Sequence, residues 1–453
     1  INFEAIEQVF KLKNTLLSYC NTSYVSKEIG YIEDSPFIKV KKDIKYPSWL
    51  VNSFLGCIYN SQLIKFEDVV DINQEFNFGL NSIAKLGMSH GLFCYSEPRL
   101  ISGLNDFESP KISTSKLFKF VKMHYKPIWS FLLLVNLIIN ERRFPVISFL
   151  RTLFIKKLDA DFDFDLTPTN KLMPLQQDSI DLIVPTLGRK KHLYNFLKDL
   201  EKQTHQVNQV IIVEQNDDKN SVSELDFLQD EVWSFKVIHK FTHQTGACNA
   251  RNVGLDLVNA DYVFFADDDI RINSDFIETV LSNIKHLGLH AVTLSCLGEN
   301  DFKSLNKTIQ WMSFGSGCSV VKADKLDGLK FDLKFEFGYG EDVDFGMQLR
   351  NKGVDVIYLP FPEIKHLKAS IGGFRTKFKH SWEDGALLPK PSPTVMLNRM
   401  KNSTNEQLLG YRTVLFLKYY SQQKIKNPFK YLSVFKKQWR LSKIWANRLS
   451  EAF

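Results

Sequence analysis

Tyr262-Val263-Phe264-Phe265-Ala266-Asp267-Asp268-Asp269 runs five apolar residues straight into three acids. An apolar run of that length suits a strand buried on both faces, as in a parallel sheet covered by helices. Three carboxylates at its end repel one another unless a cation lies among them. Open α/β sheets bind their ligands beyond the carboxyl ends of the strands. The stretch therefore reads either as a divalent-metal site that receives a phosphorylated ligand or as a solvated acidic turn.

The sequence on either side repeats the pattern. Ile180–Thr186 is a short apolar run ending in Pro185-Thr186, followed by an amphipathic helix over Leu193–Glu201. Val210–Val213 is a second run, ending on Glu214-Gln215-Asn216-Asp217; Val237-Ile238 continues more weakly, and a helix is expected over 247–258. Strand alternating with helix at this spacing predicts βαβ units and a mostly parallel, Rossmann-like sheet flanked by helices. Each apolar run ends in polar residues, so the strand ends converge on one polar edge. Thr186 offers a hydroxyl after a rigid turn at Pro185, and Glu214–Asp217 offers groups that read a base edge. In Gly246-Ala247-Cys248-Asn249-Ala250-Arg251 the small residues admit a close backbone approach, and Arg251 has the fork geometry for a diphosphate. Taken singly, each has a bland reading as a turn or a surface charge. Their ordered occurrence ahead of the three acids favours a nucleotide.

PTLGR (185–189), VEQND (213–217), GACNARNVGL (246–255), FFADDD (264–269), GSGCSV (315–320), GYGEDVDFGMQLRNKG (338–353) and HLKASIGGFR (366–375) together resemble glycosyltransferase family 2, a group of inverting enzymes with the GT-A fold. The resemblance covers about residues 177–380. It implies a nucleoside-diphosphate sugar as donor, Mn2+ or Mg2+ as cofactor, and transfer with inversion to a hydroxyl of a glycan or lipid-linked glycan, as in polysaccharide biosynthesis. By the match, Asp269 would ligate the metal, and Asp267 or Asp268 would contact the ribose or metal-bound water. Thr186 and the Glu214-Gln215 pair fall where the family holds the nucleoside. The family's usual residue there is Asp, so UDP and dTDP donors both stay open. Inverting transfer in one displacement needs a base for the acceptor hydroxyl. The family carries it on the second acid of an Glu-Asp pair, which assigns Asp342 and leaves Glu341 or Asp344 to orient the acceptor. His366 matches the family's metal-binding histidine, with Lys368, Ser370, Gly372 and Gly373 closing over the diphosphate. Gly315–Cys318, and Gly317 within it, matches the loop beside the donor sugar. Trp311 suits either a sugar platform or the core.

The rest of the chain is organised around this segment. Residues 1–158 form an N-terminal α+β region with no catalytic constellation, 159–178 a linker, 179–380 the GT-A domain, and 381–453 a basic helical extension. In the N-terminal region a helix is expected over Pro47–Asn60 and a half-exposed strand over Phe37–Ile44. Residues Lys116–Leu158 read as mostly helical, and Glu97 with Arg99 as a loop ion pair. The chain carries a net +7, yet residues 376–453 hold 15 Lys/Arg against 4 Asp/Glu, a net +11 that leaves −4 for the first 375 residues. The extension reads as an amphipathic helix with Leu432, Phe435, Trp439, Ala446 and Leu449 on one face and Lys436, Lys437, Arg440, Lys443 and Arg448 on the rest. Such a helix suits an anionic membrane surface or a docked hairpin. No nucleic-acid reading motif accompanies the charge. No apolar run reaches the roughly 20 residues of a membrane span, and the start of the sequence predicts no secretory signal. Six dispersed cysteines without a CxxC pair argue against a zinc site or disulfide framework. The expectation is a cytoplasmic protein, peripheral on the inner face of the cytoplasmic membrane. Two rivals remain: a non-catalytic glycan-binding scaffold on the same fold, and a sugar nucleotidyltransferase, whose glycine-rich basic loop after the first strand is missing from Pro185–Arg189.

Overall fold

A computed structural model describes residues 1–19, 21–71, 75–101, 110–169, 178–369 and 378–451. The chain divides into two compact units, one of residues 170–379 and one that joins 1–169 to 380–453.

The first of these holds a mixed sheet. Its strands are β1 (Ile180–Thr186), β2 (Gln209–Gln215), β3 (Lys236–Thr242), β4 (Tyr262–Ala266), β5 (Ile270–Arg271), β6 (Ala291–Gly298), β7 (Ile309–Gln310), β8 (Cys318–Lys322) and β9 (Val356–His366). They lie in the order β7-β9-β6-β8-β4-β1-β2-β3, with β5 paired to β9. The half β4-β1-β2-β3 is parallel throughout. β8 runs antiparallel between β4 and β6, and β6 is parallel to β9. Helices α1 (Lys190–Glu201), α2 (Ala247–Leu255), α3 (Phe276–Leu287) and α4 (Glu341–Arg350) accompany the sheet.

The unbroken apolar runs become strands with both faces covered. Ile183, Ile211, Val213, Val263 and Phe265 are fully buried in one cluster with Phe314, Phe331 and Phe345. Phe331 stacks on Phe345 at 4.1 Å, and Phe265 meets Phe314 edge-on at 5.5 Å. Each such side chain contributes about 1.5–3 kcal/mol on burial, so the strand ahead of the three acids is rigidly seated. At the opposite end of the strands, the buried Asp181 carboxylate accepts hydrogen bonds from Asn208 (2.7 Å), Gln209 (2.8 Å) and the Asn259 N–H (2.8 Å). Gly254 lets α2 close on β1: a Cβ there would lie 2.5 Å from Ile183 Cγ2.

The second unit has a four-stranded sheet built from Thr15–Ser18, Tyr46–Pro47, Gly56–Ile58 and Phe93–Ser96. Two expectations fail here. Pro47–Asn60 is not helical; its backbone is claimed by side chains from elsewhere. Asn81 bonds both the N–H and the C=O of Val51, and Ser18 Oγ takes the Asn52 N–H. Gly56–Ile58 then pairs with Thr15–Ser18. Phe37–Ile44 is not a strand either: Pro36–Ile38 forms a short 3-10 turn, and alternation alone provides no neighbouring strand to pair with. The helices Thr114–His124, Pro127–Glu141 and Val146–Leu150 do form over Lys116–Leu158. Glu97 and Arg99 do pair, at 2.8 Å.

The C-terminal helices belong to this unit. Asn405–Gln422 opens with a full capping box at Thr404 and Gln407. Thr413 Oγ1 donates to Asn136 at 2.7 Å, and Gln407 Nε2 reaches the carbonyls of Glu33 and Ser35. In Pro428–Glu451 the buried face is Tyr431, Phe435, Trp439, Ser442 and Ala446. Of the expected apolar stripe, Phe435, Trp439 and Ala446 are buried, Leu449 is half-buried and Leu432 is exposed, while Lys436, Lys437, Arg440, Lys443 and Arg448 are exposed.

Candidate active site

Asp267, Asp268 and Asp269 leave the end of β4 in three directions. Asp268 turns inward, 1% exposed, and accepts from Thr186 Oγ1 and Arg189 Nη1, both at 2.6 Å. Burial pushes its carboxyl up to about 6, against the pull of Arg189 and Thr186. Asp269, 2% exposed, accepts the Ala369 N–H at 2.8 Å and lies 3.4 Å from both His366 Nε2 and Arg189 Nη1. Burial opposes its ionisation, but His366, the Ala369 N–H and Arg189 outweigh it and hold the carboxyl well below the usual range. His366 is raised in turn, chiefly by its bond to Asp269. Asp267 is the most open of the three and meets Arg251 Nη2 at 3.1 Å.

Asp267, Asp269 and His366 each present a ligand atom within 4.8 Å of the other two. Their backbones are held by the sheet. His366 ends β9, where it pairs with Ile270 of β5, and the Leu367 N–H donates to the Asp269 carbonyl at 2.8 Å. Two carboxylates and an imidazole are a fitting donor set for Mn2+, and the hard carboxylate oxygens also suit Mg2+.

The loop Gly315–Gly317 joins this cluster to the first turn of α4. The Gly317 carbonyl accepts the Asp267 N–H at 3.3 Å. A Cβ at Gly317 would fall 2.1 Å from Asp267 Oδ2, so the carboxylate occupies the space a side chain would take. The Ser316 carbonyl accepts from Arg251 Nε at 3.0 Å, and its N–H donates to Asp342 Oδ1 at 3.2 Å. Arg251, 7% exposed, also reaches the Ala247 carbonyl at 3.3 Å. Its guanidinium therefore ties α2, the loop and Asp267 together.

Glu341 and Asp342 open α4 behind Gly340, whose φ of +126° favours glycine. Burial, reinforced by Asp342, pushes the Glu341 carboxyl up to about 7. Asp342 is raised too, first by burial and also by Asp267, with Arg251 and the Ser316 N–H pulling against them. Asp344 faces along the helix to Gln348 Nε2 at 2.9 Å.

The other sequence candidates lie around this centre with partners of their own. Pro185 and Thr186 end β1, and Thr186 serves Asp268. Glu214 accepts from Ser223 Oγ (2.6 Å), the Glu224 N–H (3.0 Å) and His239 Nε2 (2.8 Å). Gln215 Oε1 takes the Gly246 N–H at 2.6 Å. Lys368 adopts a φ of +53° and pairs with Asp301 at 2.9 Å. Trp311 packs on Tyr358 at 4.9 Å. Ser370, Gly372 and Gly373 lie outside the described residues.

Two participants escaped sequence reasoning. Arg189 is the cation between Asp268 and Asp269; its signal was its place in PTLGR, directly after Gly188 with φ +62°. Glu336 accepts the Cys248 and Asn249 N–H groups at 3.0 and 2.8 Å and so occupies the start of α2. Nothing local in the sequence marks it.

The strand ends of this α/β domain thus carry a carboxylate–imidazole cluster beside a second pair of acids. Residues 181–339 match the model of the family "Glycosyl transferase family 2". Glycosyltransferase GlyG of Streptococcus pneumoniae is 26% identical over 106 residues, which cover 23% of this chain and 35% of that protein. The GalNAc(5)-diNAcBac-PP-undecaprenol beta-1,3-glucosyltransferase of Campylobacter jejuni is 24% identical over 147 residues, 32% of this chain and 47% of that one. The chain thus spans less than half the length of either relative. Among solved structures, S. aureus TarS 1-349 in complex with UDP-GlcNAc is similar at 16% identity, covering 60% of this chain and 83% of that one, with a TM-score of 0.41.

Proposed function

We propose that this chain is an inverting, metal-dependent glycosyltransferase that moves a sugar from a UDP- or dTDP-sugar to a hydroxyl of a glycan or lipid-linked glycan. The observation that carries the reading is the loop Gly315–Gly317, which holds Asp342 by one N–H and Asp267, of the metal-type cluster, by one carbonyl. Departure of a nucleoside diphosphate and deprotonation of an acceptor must happen on opposite sides of one sugar carbon. Asp267, Asp269 and His366 would hold Mn2+ or Mg2+, which neutralises charge developing on a diphosphate. Asp342 takes the acceptor proton. Its desolvated setting makes it a stronger base than a solvated aspartate once ionised. Arg251 and Ser316 orient Asp267 and Asp342, and Thr186 with Arg189 fixes Asp268 beneath the nucleoside side. The Campylobacter relative, named for an undecaprenol-linked substrate, supports a lipid-linked acceptor. Membrane association agrees with such an acceptor, and the exposed cations of the C-terminal helix are one group that would contribute to it.

A panel of nucleoside-diphosphate sugars with Mn2+, read by thermal shift, tests this reading. One UDP- or dTDP-sugar should raise the unfolding midpoint only with the ion present; no response to any donor with Mn2+ or Mg2+ would overturn it. Gly317→Ala is expected to displace the Asp267 carboxylate. It should weaken Mn2+-dependent donor binding by at least about tenfold while costing about 1–3 kcal/mol of stability from overpacking. Calorimetric titration of donor alongside denaturant unfolding reads both effects, and wild-type affinity would remove Gly317 from the site.

A further inference from the structure

The segment after the helix Pro127–Glu141 presents a patch that neither the fold nor the proposed chemistry uses. Between Arg142 and Leu158 the sequence contains five Lys/Arg and no Asp or Glu. Phe144, Ile147, Leu150, Leu153 and Phe154 are all exposed, with Ile147 at 68%, Phe144 at 71% and Phe154 at 94%. No residue of the short helix Val146–Leu150 is buried. The segment is nevertheless held in place. Phe149 meets Phe118 edge-on at 6.1 Å, Thr152 is buried with Oγ1 on the Phe149 carbonyl, and the Leu158 N–H donates to the Met123 carbonyl at 2.8 Å. A tethered turn with its apolar side chains outward marks an interaction surface.

We propose that residues 144–154 are a membrane wedge that seats this unit on an anionic bilayer, with Arg142, Arg151, Lys156 and Lys157 against the lipid headgroups. Arg143 is committed elsewhere, to Glu28 and Glu141, whereas those four cations are exposed. Phe and Leu at the level of the acyl boundary with Lys and Arg beside them is the pattern of an interfacial element. A second copy of the chain fits the patch poorly. A two-fold interface brings the same surface against itself, and residues 142–158 hold five cations and no acid to pair them, the next acid being Asp159 at their edge. No helix among the described residues is long and apolar enough to cross a membrane, which leaves seating on one face. The inference rests on the membrane part of the function proposed above and transfers its apolar contact from the C-terminal helix, whose Phe435, Trp439 and Ala446 are buried, to this wedge.

Flotation of the full chain with phosphatidylcholine vesicles, with and without phosphatidylglycerol, tests it. The wild type should float with the anionic vesicles. Phe144→Ser/Ile147→Ser/Phe154→Ser should reduce the bound fraction by at least about tenfold, with the unfolding midpoint unchanged because all three side chains are exposed. Lys156→Glu/Lys157→Glu should abolish the preference for phosphatidylglycerol. Lys436→Glu/Lys437→Glu/Arg440→Glu should retain most of the binding. If the C-terminal variant loses binding and the wedge variant keeps it, the wedge is overturned and tail attachment stands. A wild type that floats with neither vesicle overturns both, and loss of concentration-dependent self-association in the wedge variant would then assign the patch to a second copy.

Discussion

Asp342→Asn should lower turnover by a factor on the order of 10²–10⁴, the range general-base catalysis supplies, and leave Mn2+-dependent donor affinity close to wild type. The substitution preserves the shape of the side chain and an oxygen for the Ser316 N–H, now 3.2 Å from Asp342 Oδ1. What it removes is basicity. The pH profile gives a second reading. Burial and Asp267 raise the Asp342 carboxyl above the ordinary aspartate range, and a base works only when ionised. For the wild type kcat/KM should therefore fall as pH drops through that elevated value, giving an acid limb at higher pH than a solvated aspartate would. In Asp342→Asn the limb should disappear along with most of the activity. Normal turnover in the variant would transfer the base role elsewhere, with Glu341, raised to about 7 at the same helix start, the next residue to test.

The parallel half of the sheet was legible because its strands, β1, β2 and β4, are buried on both faces and so spell continuous apolar runs. β3 was only half-legible: Lys236, His239 and Lys240 interrupt it because it lies at the sheet edge with one side open. The antiparallel insertion of β8 between β4 and β6 left no mark on hydrophobic periodicity, since pairing direction depends on connections and not on side-chain order. In the other unit, Pro47–Asn60 reads as a helix with Pro near its first turn, while Asn81 and Ser18, distant in sequence, decide the backbone of Val51 and Asn52. At the site, strand ends and the acids after them could be seen, and Asp267, Asp269 and His366 do come together. What could not be seen is how polar groups pair across the fold. Arg251 looks like a diphosphate ligand in sequence, yet its donors hold Ser316, Ala247 and Asp267. The start of α2 looks open because its residues are small, yet Glu336 fills it from 88 residues away.

Asp269→Ala should have the largest effect on binding. Loss of an ion's direct ligand ought to exceed the 10–100-fold cost typical of the groups that merely support one, so Mn2+-dependent donor affinity should fall by more than about 100-fold. Stability should change as well, and its pH dependence has a definite sign. The folded protein holds the Asp269 carboxyl well below its unfolded value through His366, the Ala369 N–H and Arg189. A carboxyl depressed on folding stabilises the protein above its unfolded pKa, and that contribution is lost as pH falls toward the folded value. His366, raised by the same contact, adds stability below its own unfolded pKa that is lost as pH climbs through the raised one. The metal-free pair is therefore strongest between the unfolded pKa of the carboxyl and that of the imidazole. Asp269→Ala should lose stability most in that mildly acidic window, and also leave the Ala369 N–H without its acceptor, a cost of about 1–3 kcal/mol. Denaturant unfolding across pH without metal reads the stability, and donor titration with and without Mn2+ reads the binding. A variant that loses stability but keeps Mn2+-dependent donor affinity would make Asp269 a structural partner of His366, and the ion would have to be held by other groups.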